Sequence, residues 1–399
     1  MKRGESPFFV SMKIKNFFLQ NQHWFLPLLF LLVVVFATLR NYFLPTSTIE
    51  GVQCGVTQYN NYIIFKNSSF HLFGQLNLYT QYPKEQYDLF KYTPSFALIF
   101  GLFAVLPNAI GLFIWNLLNV GLPILGFSQL LGLNKKTKPL LLLLLIPEMF
   151  TSVLNSQSNG LILGLMLLGL AAIQRENTLK AVVLICITGF IKLFGIALFA
   201  VFLLYPNQLK KAILLSFVIV LILFGLPLIV TPFETLIQQY KNYFDLLKND
   251  GNTFVKYSIM AWLNTWFKID INKNIVLIVG LIIQIIPLFF KSDFLKKNRI
   301  LYGFSWMIWV VIFNHMAESA TFIIAVGAIM AYLAQKENIS IFQFIALFLL
   351  FFLTELGPSD IYPKDLRIWI VGTAQLKVFP CIVFWVLMLF EMIKLKILN

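Results

Sequence analysis

Apolar runs, interrupted at nearly regular intervals by short polar or basic segments, dominate the chain from end to end. Stretches such as Leu26 to Thr38, Pro139 to Ile146 and Ile213 to Val230 hold no ionisable side chain. A hydrocarbon core about 30 Å thick asks for roughly 20 apolar residues per helix, and the interruptions fall at about that spacing. The runs do not alternate apolar with polar positions, as a membrane β-barrel would require. The pattern predicts an all-α integral membrane protein: a polytopic bundle of about 12 transmembrane helices with a long first non-cytoplasmic loop.

With residues 1–22 in the cytoplasm, span 1 covers 23–41 and residues 42–108 form the first outer loop. Inside that loop 94–107, bounded by Pro94 and Pro107, is apolar but too short to cross, and reads as a surface or re-entrant helix. Spans 2 (109–132), 3 (139–154) and 4 (160–174) follow. The stretch 181–205 has Lys180 before it and Lys210 and Lys211 after it, so an even number of passes is required. A single helix there would strand Lys192 at mid-membrane, at a cost of at least about 2.5–3.5 kcal/mol. Two short helices, spans 5 and 6, meeting at a recessed, wet apex at Lys192 are the better reading. Span 7 (212–231), an outer loop (232–273), spans 8 (274–290), 9 (300–314), 10 (319–334) and 11 (340–356), an outer loop (357–377) and span 12 (378–393) complete a single polytopic domain, 1–399. Trp262 and Trp266 within 258–267 predict an amphipathic helix on the outer surface.

Charge supports this path. Its cytoplasmic segments, with Lys2, Arg3, Lys13 and Lys15 at one end and Lys394 and Lys396 at the other, hold 18 Lys and Arg against 5 Asp and Glu. The outer segments hold 13 against 11, with Glu148 inside span 3. That asymmetry is the positive-inside bias, with both termini cytoplasmic. The net charge of +14 therefore reflects orientation in a lipid bilayer and not a nucleic-acid partner. Composition agrees: 59% of residues are hydrophobic and 12% charged, against about 25% charged for soluble domains. No small-residue cleavage site follows the first run, which Arg40 ends, so 23–41 reads as a permanent anchor. Short loops favour a bacterial plasma (inner) membrane; Asn67-Ser68-Ser69 would accept a glycan only in a eukaryotic lumen. Cys54, Cys186 and Cys381 form no metal-ligand spacing, and a Cys54–Cys381 bridge would need both to face an oxidising compartment.

The polar chemistry gathers on the outer face. The first loop brings Gln58, Tyr59, Asn60, Asn61 and Tyr62, then His71, Glu85, Asp88, Lys91 and Tyr92. Gln157, Asn159, Lys192, His315 and Glu318 join from later spans, and Asp360, Lys364, Arg367 and Lys377 from the last loop. A carboxylate beside cations and aromatics suits sugar and phosphate handling: the base takes a hydroxyl proton and the cations hold phosphate oxygens. The cytoplasmic loops hold no phosphate-cradling glycine loop, metal cluster or Ser-His-Asp set, and they are too short for a nucleotide-sugar domain.

Several segments, in order, resemble the GT-C superfamily of polyprenyl-phosphate-sugar-dependent glycosyltransferases, and within it glycosyltransferase family 87 (GT87, formerly DUF2029). Tyr59-Asn60-Asn61-Tyr62 and Gly74-Gln75-Leu76-Asn77-Leu78-Tyr79 resemble the family's aromatic-flanked first loop, and Tyr92-Thr93-Pro94 its Tyr-x-Pro before a surface helix. Ser156-Gln157-Ser158-Asn159 resembles its Gly-Gln-x-Asn, Ile191-Lys192 its Ile-Lys turn, and Asn314-His315-Met316 its late histidine. The similarity covers roughly 55–335. It implies transfer of mannose or another hexose from a polyprenyl-phosphate sugar donor to a glycan or glycolipid acceptor outside the cytoplasm, with inversion. The lipid-linked sugar is a substrate, so no cofactor is predicted, and a divalent metal is left open.

One departure matters. Such enzymes usually carry a catalytic Asp early in the first outer loop, and the matching position here is Gln58, a neutral amide that cannot take a proton. Glu85 or Asp88, later in the loop, is nominated as general base instead. Lys192, His315 and Arg367 are nominated as donor-phosphate ligands, Lys192 for its place at a helix break and Arg367 for its bidentate geometry. Gln58, Asn61, Gln157, Asn159 and Glu318 become sugar or acceptor contacts. Each has a plainer alternative: Glu85 and Asp88 as a solvated ion-pair cluster with Lys84 and Lys91, Lys192 snorkelling, His315 capping span 9, and the amides satisfying backbone groups. A transporter or flippase of a lipid-linked precursor is the competing function, but no internal repeat marks the two halves, and polar residues crowd one face instead of lining a path. A glycan polymerase or ligase would want more arginines than Arg367 in the last outer loop.

Overall fold

The computed structural model describes residues 7–250, 257–269, 272–290 and 293–393. The basic residues Lys2, Arg3, Lys291, Lys394 and Lys396 and the loop segments 251–256 and 270–271 lie outside the described residues. The regular secondary structure of the described residues is all helical, with one isolated bridge between Ser47 and Val56 and no strand.

Helix α1 (Pro7–Phe43) carries the first apolar run. Residues 42–108, expected from sequence to be the first outer loop, contain α2 (Asn60–Phe73) and α3 (Pro94–Ala104). Pro94 opens α3 and the Thr93 hydroxyl caps it, accepting from the Phe96 N–H at 3.3 Å. Eleven α-helical residues span about 16 Å, half a hydrocarbon core, and α3 packs against α2 and α4 (Asn108–Gln129). The third apolar run divides at Leu145, just before Pro147, into α5 (Lys138–Leu144) and α6 (Ile146–Leu154).

Next come α7 (Asn159–Gln174), α8 (Thr178–Ile191), a 3₁₀ helix (Leu193–Leu204) and α9 (Pro206–Gly225). The segment 232–273, expected from sequence to be an outer loop, contains α10 (Phe233–Asp250) and α11 (Ile259–Phe267). Then follow α12 (Lys273–Phe290), α13 (Asp293–Lys297), α14 (Ile300–Ile312), α15 (Phe322–Ala334) and α16 (Ile341–Leu349), which continues as a π-helix to Glu355. The short α17 (Lys364–Arg367) and α18 (Phe379–Ile393) end the fold.

Among the described residues four stretches, His23–Phe43, Asn108–Gln129, Pro206–Ile229 and Lys273–Phe290, are long and apolar enough to cross a membrane. The other apolar helices are shorter, and three of them lie at the centre. Every residue of α15 is buried, as are nearly all of α7 and α14. Around them α9, α12 and α16 expose Phe217, Leu221, Ile278, Ile282, Phe344 and Phe348. Apolar surface facing outward is what an acyl-chain solvent calls for.

Helices α4 and α7 approach closely through small residues. A Cβ on Gly160 would lie 2.2 Å from the Asn119 carbonyl oxygen, and one on Gly164 2.5 Å from the Leu122 carbonyl carbon. This is the Gly-x-x-x-Gly contact, which substitutes for the missing hydrophobic drive between helices in lipid.

Lys377, grouped by sequence with an outer mixed-charge loop, is instead fully buried. Its Nζ lies 3.0 Å from Glu148 Oε2, donates to the Thr354 carbonyl at 2.9 Å, and sits 5.0 Å from the Phe322 ring centre. An interior that cannot solvate a lone charge pairs it, here across 229 residues of chain. Glu355 is buried nearby with neither oxygen hydrogen-bonded. All three cysteines are free, and Cys381 is buried, so no Cys54–Cys381 bridge forms.

Two poles result. At one, Asn134 N–H donates to the Ala334 carbonyl at 2.6 Å, Lys336 pairs with Glu391 at 2.6 Å, and Arg299 lies 4.9 Å from the Tyr205 ring centre. At the other, the central helices stop short and leave a recess.

Candidate active site

The recess is a cavity of about 400 Å³. Four separate stretches of chain supply most of its polar wall, with Asn61 added from α2, and each of the four is held by local chemistry.

The first is the end of the first outer loop. Asn60 grips Tyr87 on both sides, donating from Nδ2 to its carbonyl at 2.6 Å and accepting from its N–H at 3.1 Å. That grip positions Asp88, whose backbone is left-handed at φ 74°. Asp and Asn tolerate this region better than most residues, because the short side chain bonds locally. Here Asp88 Oδ1 accepts from the Leu89 N–H at 2.7 Å, with Lys91 Nζ 3.8 Å away.

The second is the turn between α6 and α7. Ser156 is buried and left-handed, at φ 52°. Its carbonyl accepts from Trp115 Nε1 at 3.0 Å and its hydroxyl from Asn41 Nδ2 at 3.5 Å. The locked turn presents Gln157 to the cavity and sets Asn159 at the head of α7.

The third is the break at Lys192, which is extended (φ −140°, ψ 141°) between α8 and the 3₁₀ helix. As a 3₁₀ helix, the twelve residues after it reach about 24 Å; as an α-helix they would reach about 18 Å. The tighter coil thus lets a short segment return most of the way across the core. Irregular backbone at this depth is tolerated where it faces a wet cavity. Lys192 Nζ donates to Asn159 Oδ1 at 3.0 Å and lies 5.6 Å from the Tyr92 ring centre and 5.8 Å from that of Phe194, within cation–π range.

The fourth is the link between α14 and α15, which contributes Asn314, His315, Met316 and Glu318. Glu318 opens the helical turn before α15 in a capping-box arrangement with Thr321: the Thr321 N–H donates to its carbonyl at 3.0 Å while its own N–H meets the Thr321 hydroxyl at 3.4 Å. Gln157 Nε2 also donates to this carboxylate.

Helix α10 closes the side of the cavity with Tyr243 and Leu247. Gln239 fastens it to the first loop, accepting from the Leu78 N–H at 3.1 Å and donating to the Leu76 carbonyl at 2.6 Å. Burial, and then the neighbouring Tyr240 and Tyr92, push the Tyr243 phenol up to about 12. Burial, and then the Glu318 charge, raise the Tyr257 phenol.

Of the residues singled out by sequence, Asn61, Asp88, Gln157, Lys192, His315 and Glu318 line this cavity. Asn159 stands behind Gln157 and Lys192 and bonds to both. Three stand apart. Glu85 is 2.8 Å from His71 Nε2, with that ring stacked on Tyr82. Gln58 is exposed, its amide 3.4 Å from the Pro45 carbonyl. Arg367 pairs with Asp360. Tyr243 and Leu247 were not anticipated; the signal was the spacing of Leu236, Tyr240, Tyr243 and Leu247, one helix face inside what read as a loop. Among the described residues no group of three or more His, Cys, Asp or Glu is placed to hold a metal ion.

No curated protein matches the chain by sequence. Among solved structures it is similar to ArnT from Cupriavidus metallidurans, whose crystal structure was determined bound to undecaprenyl phosphate. The two share 13% identity with a TM-score of 0.46, over 92% of this chain and 77% of that one. The sequence profile of glycosyltransferase family 87 matches residues 90–353, which hold Lys91, Tyr92, Gln157, Lys192, His315 and Glu318 and leave out most of the first outer loop. The chain belongs to glycosyltransferase family 87.

Proposed function

We propose that this glycosyltransferase moves a hexose, mannose in the first instance, from a polyprenyl-phosphate donor to a hydroxyl of a glycan or glycolipid acceptor on the non-cytoplasmic face of the plasma membrane. The observation that carries the reading is one cavity in which Asp88 shares a wall with Lys192, His315, amides and aromatic rings. Asp88 takes the proton of the acceptor hydroxyl, whose oxygen attacks the anomeric carbon as the bond to phosphate oxygen breaks. The electron pair leaves with the polyprenyl phosphate, whose oxygens Lys192 and His315 hold. Attack opposite the leaving group inverts the anomeric centre. Asn61 holds a sugar or acceptor hydroxyl, and Tyr92 and Tyr243 face the sugar.

Of the two carboxylates nominated as base, Asp88 reaches the cavity and Glu85 is engaged by His71. Gln58 and Arg367 are assigned no direct contact with the reacting groups. The topology that accompanies this reading is a bundle of twelve spans with both termini cytoplasmic, in which the short central helices account for the recess.

The test is transfer in membranes supplied with radiolabelled polyprenyl-phosphate mannose. Asp88→Asn is expected to lose at least about a hundredfold in kcat, within the range of general-base contributions. Glu85→Gln is expected to stay within about threefold of the parent. If both variants and their combination transfer sugar at full rate, the base lies elsewhere. Movement of unmodified donor lipid across the bilayer without transfer would favour a flippase.

A further inference from the structure

Gln157 and Asn159 stand in a hydrogen-bonded line with a charge at each end. Lys192 Nζ donates to Asn159 Oδ1 at 3.0 Å, Asn159 Nδ2 donates to Gln157 Oε1 at 2.6 Å, and Gln157 Nε2 donates to the Glu318 carboxylate. An ammonium only donates, an ionised carboxylate only accepts, and each amide has one end of each kind. The line is therefore satisfied in one sense alone. Turning either amide over would set N–H against N–H and oxygen against oxygen. Asn159 is fully buried and Gln157 is 5% exposed, so little water reaches them to repair a break. The ends are fixed as well, Glu318 by its capping-box arrangement with Thr321 and the two amides by the locked turn at Ser156.

We infer that Gln157 and Asn159 are positioning residues whose amides hold the Lys192 ammonium in register with the Glu318 carboxylate, so that donor-phosphate affinity depends on the whole line and not on Lys192 alone. One of the three ammonium donors is committed to Asn159, which aims the others. The inference rests on the reading of Lys192 as donor-phosphate ligand, and it makes a change at Gln157 or Glu318 felt at the phosphate.

The experiment measures binding of radiolabelled undecaprenyl phosphate to the purified full-length protein, with transfer kinetics and melting temperature alongside. Gln157→Glu sets a second carboxylate against Glu318 and removes the donor to it. Its Kd and donor KM are expected to rise about tenfold, in the range of couplings within one hydrogen-bond network. Its kcat at saturating donor is expected to change less than about threefold. Adding Glu318→Gln supplies an amide donor to the new carboxylate and closes the line again, so the double variant is expected to bind within about threefold of the parent. Asn159→Asp, nearly isosteric, keeps the acceptor for Lys192 but loses the donor to Gln157, and weakens binding; adding Glu318→Gln lets the Gln157 amide turn over, donating to the new carboxylate and accepting from the new amide, and is expected to restore it. Should Gln157→Glu lower the melting temperature, Asn159→Asp carries the test.

An unchanged Kd in Gln157→Glu and Asn159→Asp overturns the inference. So does a double variant as weak as Gln157→Glu alone, because Gln157 would then act by its own contact with substrate. A folded parent protein that binds no undecaprenyl phosphate removes the donor reading itself, which is a different result from a parent that binds and variants that do not respond.

Discussion

Asp88 holds a backbone conformation that costs an L-residue about 1–2 kcal/mol, and it holds it where the cavity opens. Strain of that kind persists when its surroundings enforce it, and here the Asn60 grip on Tyr87 does so. Glycine pays no such cost, so Asp88→Gly is expected to melt at or above the parent temperature while losing the same hundredfold or so in transfer as Asp88→Asn. A thermal melt beside an activity assay checks both, and a loss of stability with retained activity would remove Asp88 from the chemistry. The Glu148–Lys377 pair makes the opposite case, stability without a reaction. Lys377→Met leaves Glu148 buried and unpaired, for which about 3–5 kcal/mol is typical. Glu148→Gln with Lys377→Met removes both charges of the pair, and is expected to melt well above Lys377→Met alone. Neither partner was legible from sequence. Glu148 sat in an apolar run and Lys377 in a charged loop, and nothing local to either names the other.

Helix α7 is the element on which the site turns, since it carries Asn159 at its head and packs on α4 through Gly160 and Gly164. Gly164→Leu would drive a side chain into the Leu122 backbone and is expected to cost about 1–3 kcal/mol by overpacking. Gly121→Ala, with nothing within 4 Å of its Cβ, is the matched control and should be close to neutral. Melting temperatures of the two variants decide it, and equal melting would mean that α4 and α7 are not packed as described. At this scale the sequence was read well where hydropathy and proline speak and poorly where amphipathicity speaks. Pro94 and Pro107 limited α3, and the lone Lys192 marked the break between α8 and the 3₁₀ helix. Helix α10 was passed over, because half its residues are polar and a search for spans discards such a segment. Its buried face, Leu236, Gln239, Tyr240 and Tyr243, repeats at helical spacing.

At the scale of the molecule, the cavity requires that the 155–159 turn, Lys192 and the 314–318 link share one side of the membrane. With Cys54 replaced by Ser, Asn155→Cys and Lys192→Cys are expected to react with a membrane-impermeant thiol reagent from outside in intact cells. Lys135→Cys and Lys210→Cys are expected to react only after permeabilisation. Labelling of positions 155 and 192 from opposite sides would dismantle the site. What the chain determined by itself is its solvent, and its basic segments carry the orientation proposed for it. Transfer of a side chain into hydrocarbon and the pull of basic segments toward the cytoplasm are one-residue terms that add along a sequence, so spans, interruptions and sidedness can be summed from it. Which polar groups meet was decided by tertiary structure alone. The bonds between Lys192 and Asn159, Gln157 and Glu318, and Glu148 and Lys377 join residues 33, 161 and 229 positions apart. Such bonds depend on angles and distances between packed helices, and no sum over single residues contains them.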